Sequence, residues 1–231
     1  MRSLFRGRPL GLQRMAVPKA LSDAELVDWN RSHCSWPENY ATITTLLNMI
    51  RAQQVVEVGV AYGYHAEHIL GANKNIRYTG VDPFLAGYDT NDHFDTDVAK
   101  LFSDDPQSAM DRLHEAVKQK LGNTYPLRSE LLREESSTAA KRFADASIDA
   151  CYVDGNHTKD AVALDLRAWW HALRDGGLFI LDDIEWEGVR RAAQGFAAQV
   201  DTEIILVSTV NREKKRGLII KGNSRVSPSR H

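Results

Sequence analysis

Short apolar runs alternate with longer segments of helical periodicity between Gln54 and Lys221. Runs rich in β-branched residues and bounded by Gly, Asn or Asp are typical of strands, whereas apolar residues recurring every three to four positions indicate helices. Strands that alternate with helices at this spacing predict parallel βαβ units. The predicted strands are Gln54–Val58, Arg77–Val81, a run within Leu127–Arg133, Ala150–Val153, Leu178–Leu181, Glu203–Ser208 and Gly217–Lys221.

The last two predicted strands depart from the parallel pattern. The charged segment NREKKR joins them, and so short a connection requires an antiparallel hairpin. We therefore expect a Rossmann-like α/β fold: a seven-stranded, mostly parallel sheet with helices on both faces and a C-terminal antiparallel hairpin. The predicted helices are Leu21–Trp29 with Ser22 as its N-cap, Tyr40–Arg51, Tyr64–Leu70, Asp105–Leu121, Thr138–Phe143, Asp160–Leu173 and Ile184–Gln199.

One long segment between the second and third predicted strands has no clear periodicity. Phe84–Lys100, FLAGYDTNDHFDTDVAK, is rich in Asp, Asn, Gly and aromatic residues, which predicts a loop. Loops of this length in a compact domain are functional lids or are solvated and disordered. In the first case Tyr88, His93 and Phe94 are the side chains placed to contact a substrate.

Composition narrows the class of protein. The 231 residues are 43% hydrophobic with a formal net charge of -2, which suits one large domain and gives no charge signal for a nucleic-acid or membrane partner. Cysteines stand only at positions 34 and 151, so we expect a reducing, cytoplasmic setting. The basic segment 1–20 is expected to be a disordered leader, with organelle targeting as the alternative. We further expect a helical cover over 21–50, a catalytic domain over 51–222 and a disordered tail over 223–231.

A glycine-containing turn follows the first predicted strand. The sequence Glu57–Gly63, EVGVAYG, reads as a strand end, a turn and a helix start, where backbone N–H groups face a ligand. Ala61 fills the middle glycine position of the GxGxxG pattern, which weakens a dinucleotide interpretation. Asp82 ends the second strand at the position from which an acid hydrogen-bonds ribose hydroxyls. The alternative is that Asp82 only caps a turn before Pro83.

Three acids and a histidine follow the fourth and fifth predicted strands. Asp154 and His157 lie in YVDGNH, and Asp182 and Asp183 end the run ILDD. Because parallel strands point the same way, these side chains are expected at the ligand-binding edge of the sheet. Either they hold a metal ion and move a proton there, or they cap turns and helices.

EVGVAYG, Asp82 and the DGNH…DD pattern together resemble the class I S-adenosylmethionine-dependent methyltransferases over about Arg51–Lys221. More narrowly, YVDGNH followed by DL..WW and GG..ILDD is similar to the metal-dependent O-methyltransferases of the macrolide-sugar and catechol types. By this resemblance S-adenosylmethionine binds at the glycine turn, at Asp82 through its ribose, and near Glu135 and Ser136 through its adenine. The cofactor-binding residues so implied are Glu57, Gly59, Tyr62, Gly63, Asp82, Glu135, Ser136 and Asp154.

The same resemblance implies that Asp154, Asp182 and Asp183 ligate a divalent cation, and three carboxylates favour a hard ion such as Mg²⁺. It also implies catalytic roles for Asp154 and for His157, a general base with an ordinary pKa of about 6.5. Catechol-type enzymes carry lysine where this chain has His157, which favours an alcohol or sugar hydroxyl. The expected function is divalent-metal-dependent O-methylation of a small-molecule hydroxyl, by a protein that can form a homo-oligomer. The alternatives are a NAD-type oxidoreductase and an S-adenosylmethionine-binding protein without methyl transfer.

Overall fold

The structure, a computed structural model, describes residues 21–34, 37–208 and 214–222. The predicted leader 1–20 and tail 223–231 lie outside the described residues, as does the first part of the NREKKR turn. No helix of the described ranges is both long and apolar enough to cross a membrane.

The described strands form one seven-stranded sheet in the order β3-β2-β1-β4-β5-β7-β6. The strands are β1 Gln54–Val58, β2 Arg77–Val81, β3 Ser129–Leu132, β4 Ile148–Val153, β5 Leu173–Leu181, β6 Ile205–Ser208 and β7 Lys215–Ile220. Strands β1 to β5 pair in parallel, and β7 is antiparallel to both β5 and β6. The predicted fold class is confirmed, with β7 inserted between β5 and β6.

Helices cover both faces of this sheet. They are α1 Asp23–Cys34, α2 Pro37–Met49, α3 Tyr64–Ala72, α4 Phe94–Phe102, α5 Pro106–Thr124, α6 Ser136–Ala139, α7 Lys159–Trp169 and α8 Glu187–Gln199. One buried cluster joins α1 to α5 to the sheet, and a second joins α6 to α8 to its other face. Ser22 caps α1, since its hydroxyl accepts from the Glu25 N–H and its own N–H donates to the Glu25 carboxylate.

The predicted loop Phe84–Lys100 is only half a loop, because its second half is helix α4. Val98, Leu101 and Phe102 are buried at helical spacing, and Asp95 and Asp97 in the first turn favour the positive end of the helix dipole. The many aspartates of this segment made the helical spacing of its apolar residues difficult to recognise in the sequence.

Among the other boundaries that differ from the predictions, two lie on the strands next to the site. Helix α7 ends at Trp169, and β5 begins at Leu173. Gly176 and Gly177, between the predicted helix Asp160–Leu173 and the predicted strand Leu178–Leu181, therefore lie within a strand whose register with β4 shifts. Strand β7 begins at Lys215 rather than Gly217, which places Arg216 in the sheet instead of in a solvated turn. This second correction changes the chemistry of the site.

Backbone hydrogen bonds align the carboxyl ends of the central strands. The Gly59 N–H donates to Val81 O at 2.9 Å, Asp154 N–H to Val58 O at 2.8 Å, and Asp182 N–H to Val153 O at 3.0 Å. The residues that follow β1, β4 and β5 therefore lie side by side along one edge, as the parallel pattern predicts.

Candidate active site

The glycine turn, residues 59–63, brings the chain against the end of β4. Gly59 has φ +87°, and a Cβ there would lie 2.1 Å from the Asp154 carbonyl oxygen. Gly63 has φ +72° and begins α3, where a Cβ would lie 2.9 Å from Val117 Cγ1. Both positions therefore require glycine, for backbone conformation and for space. Ala61 also has a positive φ, of 49°, and so carries strain at the position where the dinucleotide pattern has glycine.

Asp82 holds the glycine turn from the neighbouring strand. One carboxylate oxygen accepts from the N–H groups of Val60 at 2.9 Å and Ala61 at 3.0 Å, and the other accepts from Phe84 N–H at 2.8 Å. Burial raises the pKa of this carboxyl although these donors oppose the shift. Asp82 lines the cleft, so contact with a ribose stays a prediction, while holding the turn is its observed role.

A buried polar group lies behind the glycine turn. Glu57 is 1% exposed, accepts a short hydrogen bond from the Tyr78 hydroxyl, and lies 3.2 Å from His65 Nδ1. The His65 ring packs edge-on against Tyr40 of α2, with centroids 4.2 Å apart. The second helix before the sheet thus reaches the site through Tyr40.

Two connected pockets form one groove along the strand ends. Their volumes are about 270 Å³ and about 220 Å³, and they share lining residues at the glycine turn and the strand ends. The shared residues are Gly59, Ala61, Asp154, Asp182 and Lys214. Tyr62 lines the smaller pocket and stacks on Tyr64 with centroids 5.3 Å apart. The joined groove falls in the size range of small-molecule sites, roughly 300–1,000 Å³.

Glu135 and Ser136, the predicted adenine neighbours, have different environments. Glu135 is exposed and accepts from the Tyr88 hydroxyl at 3.0 Å, whereas Ser136 is buried and lines the larger pocket. The Ser136 hydroxyl accepts from Trp169 Nε1 at 2.9 Å. Behind it, burial raises the pKa of Asp165 to about 7, although a hydrogen bond with Ser136 opposes the shift.

The acidic rim, formed by Asp154, Asp182, Asp183 and His157, lines the groove beyond the glycine turn. His157 Nε2 lies 3.7 Å from Asp154 Oδ1 and 3.6 Å from Asp183 Oδ2. Burial and the charge of Asp182 raise the pKa of Asp154 to about 6. The structure therefore brings together the side chains that the sequence predicted at this edge.

A loop aspartate fixes the His157 ring. Asp89 Oδ2 accepts from the His157 backbone N–H at 2.7 Å and lies 2.9 Å from Nδ1, and the Trp186 ring packs 4.6 Å from the imidazole. His157 Nε2 is buried and has no hydrogen-bond partner among the described residues. Burial opposes charge on the ring, but Asp154, Asp89 and Asp183 outweigh it and raise the pKa of His157 to about 9.

Two cations contact the predicted metal ligands. Arg216 Nη1 lies 2.7 Å from Asp182 Oδ1, and Lys214 Nζ lies 3.1 Å from Asp183 Oδ1 and 3.8 Å from Asp182 Oδ2. Within the described ranges, no group of three His, Cys, Asp or Glu side chains has a geometry that could hold a metal ion. Asp154, Asp182 and Asp183 in this arrangement do not fit a divalent cation, because the charge of the Asp182 carboxylate is already paired with Arg216.

Residues 56–184 match a family model described as a methyltransferase domain. The chain belongs to this methyltransferase family. The match spans β1 to the end of β5, including the glycine turn, Asp82 and the acidic rim. Comparison with curated protein sequences gives no match.

Solved structures of methyltransferases share the fold. A Staphylococcus aureus protein, provisionally described as a caffeoyl-CoA O-methyltransferase, is 12% identical, with a TM-score of 0.62 over 87% of this chain and 93% of its own. The O-methyltransferase TomG of Streptomyces achromogenes, in complex with SAM, is 12% identical, with a TM-score of 0.56 over 90% and 93%. The SAH-bound methyltransferase PaMTH1 of Podospora anserina is 15% identical, with a TM-score of 0.55 over 87% and 89%. At the level of family and fold, the recognition of a class I methyltransferase is confirmed.

Three residues of this methyltransferase site were not predicted from the sequence. Asp89 lay in the segment interpreted as a loop, and Lys214 and Arg216 lay in the segment interpreted as a charged turn. Pairing β7 against β5 from Gly217 opposite Leu181 would have placed Arg216 next to Asp182. No comparable pattern marks Asp89, because its position depends on the path of an irregular loop.

Proposed function

We propose that the chain is an S-adenosylmethionine-dependent O-methyltransferase that modifies a hydroxyl group of a small molecule. The family match supports methyl transfer, and the O-methyltransferase names of two structures with the same fold support oxygen as the acceptor atom. TomG and PaMTH1, which hold SAM and SAH, support the choice of methyl donor.

The charge of the groove favours this cofactor over a dinucleotide. Its larger pocket is lined by Asp82, Asp89, Asp92, Asp95, Asp154, Asp182 and Asp183. Against these aspartates, the described lining contains Lys214 and His157 as basic residues. A pocket so rich in carboxylates attracts a sulfonium and an ammonium group and repels a pyrophosphate. This charge, together with Ala61 in the turn, argues against the NAD-type alternative.

The observation that carries the proposal is the geometry of His157. Its Nδ1 faces Asp89 at 2.9 Å, and its Nε2 is buried without a hydrogen bond, 3.6 Å from Asp183 Oδ2 and 3.7 Å from Asp154 Oδ1. An imidazole that donates from Nδ1 to a carboxylate presents Nε2 as an acceptor. The ring is therefore oriented to take a proton from a hydroxyl group bound in the groove.

The reaction follows from this orientation. Bound S-adenosylmethionine would supply the methyl group and the sulfonium leaving group: the acceptor oxygen would bond to the methyl carbon as the S–CH₃ bond breaks, with the bonding electrons kept by sulfur. The hydroxyl proton would pass to His157 Nε2, which the protein provides beside the groove. The cofactor supplies the leaving group, so the protein mainly positions the two reactants and accepts the proton.

The protonation state of His157 sets a condition on this step. With a pKa raised to about 9, the free protein carries an imidazolium at neutral pH, which cannot act as a base. A bound sulfonium would oppose this second positive charge and favour loss of the proton. Cofactor binding and activation of the base are coupled in this proposal.

Mg²⁺ and a sugar or alcohol acceptor belong to this proposal only as predictions from the sequence resemblance. Asp182 and Asp183 are engaged by Lys214 and Arg216, so no step of the mechanism is assigned to a metal ion. Asp154 borders the groove next to His157 and contributes negative charge there.

Isothermal titration with S-adenosylmethionine and NAD, followed by transfer of a labelled methyl group to a panel of hydroxylated small molecules, tests the function. We expect binding of S-adenosylmethionine, weak or no binding of NAD, and label in an ether product. Tight NAD binding without S-adenosylmethionine binding would support the oxidoreductase alternative. Binding of S-adenosylmethionine without transfer to any hydroxyl would support the alternative of an S-adenosylmethionine-binding protein that does not transfer methyl groups.

A further inference from the structure

The acidic rim contains an ion-pair cluster formed where β5 ends and β7 begins. Asp182 is 5% exposed, and Arg216, 1% exposed, approaches it to 2.7 Å without the alignment of a hydrogen bond. Lys214 Nζ lies between the two carboxylates, 3.1 Å from Asp183 and 3.8 Å from Asp182. Two carboxylates therefore meet two side-chain cations in a mostly buried position.

The sheet topology explains how these cations reach the rim. Gly217 of β7 pairs with Leu181 of β5, so Arg216 is in register with the residue that follows β5. Side chains two positions apart along an extended chain point to the same face, which brings Lys214 to the side of Arg216. The Ile184 side chain packs against the backbone of β7 at Gly217. A Cβ at Gly217 would lie 2.9 Å from Ile184 Cδ1.

The charges at this point are mutually dependent. A buried carboxylate is costly unless it is paired, and a buried guanidinium likewise. Burial alone would raise the pKa of Asp182, but Lys214 and Arg216 lower it, and the carboxylates raise the pKa of Lys214 against the effect of burial. Both sides of the cluster are therefore held in their charged forms.

We propose that Lys214 and Arg216 stand in for a divalent cation at Asp182 and Asp183, so that the acidic rim works without a bound metal ion. A divalent ion at these carboxylates would have to displace the Lys214 ammonium and remain next to the Arg216 guanidinium. Coulomb repulsion over such distances in a partly buried site opposes its binding. The bearing of this inference on catalysis rests on the proposed function, whereas its bearing on metal binding does not.

The proposal is tested by titrating the chelator-treated full chain with Mn²⁺ alone. The electron paramagnetic resonance signal of the free ion measures how much Mn²⁺ is bound. We expect the wild-type chain to show no saturable site. Lys214→Met should show one, with an affinity for Mn²⁺ at least about tenfold above the wild-type upper limit, because its carboxylates lose an ammonium. Lys215→Met is the matched control, since this exposed neighbour lies on the other side of the strand and should behave as wild type. Thermal melting checks that each variant is folded.

Saturable Mn²⁺ binding to the wild-type chain that is lost in Asp183→Asn would overturn the proposal. Binding by neither wild type nor Lys214→Met would also overturn it, because removing the ammonium would not have uncovered a cation site. Should the chain prove not to transfer methyl groups, the Mn²⁺ result still stands by itself. Where transfer is observed, we expect the wild-type rate to be unaffected by a chelator.

Discussion

The glycine turn and the acidic rim lie on the same edge of the same sheet, but their charges are compensated in different ways. In the turn, the Asp82 carboxylate is satisfied by three backbone N–H groups within a few residues of the strand ends. In the rim, Asp182 is paired with Arg216 of β7 and Asp183 with Lys214 just before β7, and His157 is oriented by Asp89 from a loop. Main-chain geometry therefore fixes the turn, whereas a few long-range side chains decide the chemistry of the rim.

The largest effect on stability is expected in the turn, from Gly59→Ala. The new Cβ would lie 2.1 Å from the Asp154 carbonyl oxygen at a φ of +87°, so we expect a loss of roughly 2–4 kcal/mol in the free energy of unfolding. Gly87→Ala is the control, because Gly87 has φ +70° with nothing within 4 Å of a Cβ, and should lose only about 1 kcal/mol. Equal losses in denaturant melts would show that the close approach does not matter.

The largest effect on the rate of methyl transfer is expected in the rim, from His157→Gln. Removing a general base lowers the transfer rate by about 10²–10⁴-fold. Affinity for S-adenosylmethionine is expected to rise at neutral pH, because the variant lacks the imidazolium that opposes the sulfonium. His171→Gln is the control, because this histidine precedes β5 and does not line the groove, and it should retain full activity. Undiminished transfer by His157→Gln would remove His157 from the mechanism and leave the rim with a purely structural role.

The pH dependence of transfer tests the link between Asp89 and His157. The base must be neutral, so kcat/KM, which reports the free protein, should rise with pH until about 9, the pKa of His157, and then level off. Asp89→Asn removes a partner of the imidazolium, which lowers the pKa of His157 and moves the rise to lower pH, with a lower plateau because the ring is less well oriented. Identical pH profiles for the two proteins would contradict this coupling.

The smallest effect is expected at Asp165, a buried carboxylate that has neither the turn's N–H groups nor the rim's cations. Its folded-state pKa of about 7 exceeds the ordinary aspartate pKa of 3.8, so the folded state is destabilised as pH rises from the lower value through the higher one. Asp165→Asn should therefore raise the melting temperature more at about pH 8 than at about pH 5. The exposed Asp160→Asn of the same helix should show equal changes at both, and a pH-independent effect of Asp165→Asn would refute the assignment.

The contrast between turn and rim also explains how far the sequence could predict the molecule. Strand periodicity, Gly59, Gly63 and Asp82 follow one another along the chain, and parallel strands necessarily bring Asp154 and Asp182 to one edge. Those elements were predictable because they depend on local pattern and one topological rule. Helix α4 was hidden by its aspartates, and Asp89 by the irregular loop that carries it.

The pairing of the rim carboxylates with cations was not predictable for a further reason. Whether Arg216 faces Asp182 depends on the residue at which β7 begins, and a shift of one residue turns every side chain to the other face. Carboxylates at strand ends suggested a metal ion from their own chemistry, while the cations beside them come from a segment distant in sequence. A site prediction made from the acidic residues alone omits that half of the charge balance.

The most direct test of the account is an NMR titration of the His157 imidazole, assigned by its loss in His157→Gln. In the free protein we predict protonated Nδ1, and a pKa of about 9 at Nε2. Bound S-adenosylmethionine should lower this pKa more than neutral S-adenosylhomocysteine does, because the sulfonium charge opposes the imidazolium. A pKa near the ordinary value of about 6.5 that neither ligand changes would contradict the claim that His157 is the base of this groove.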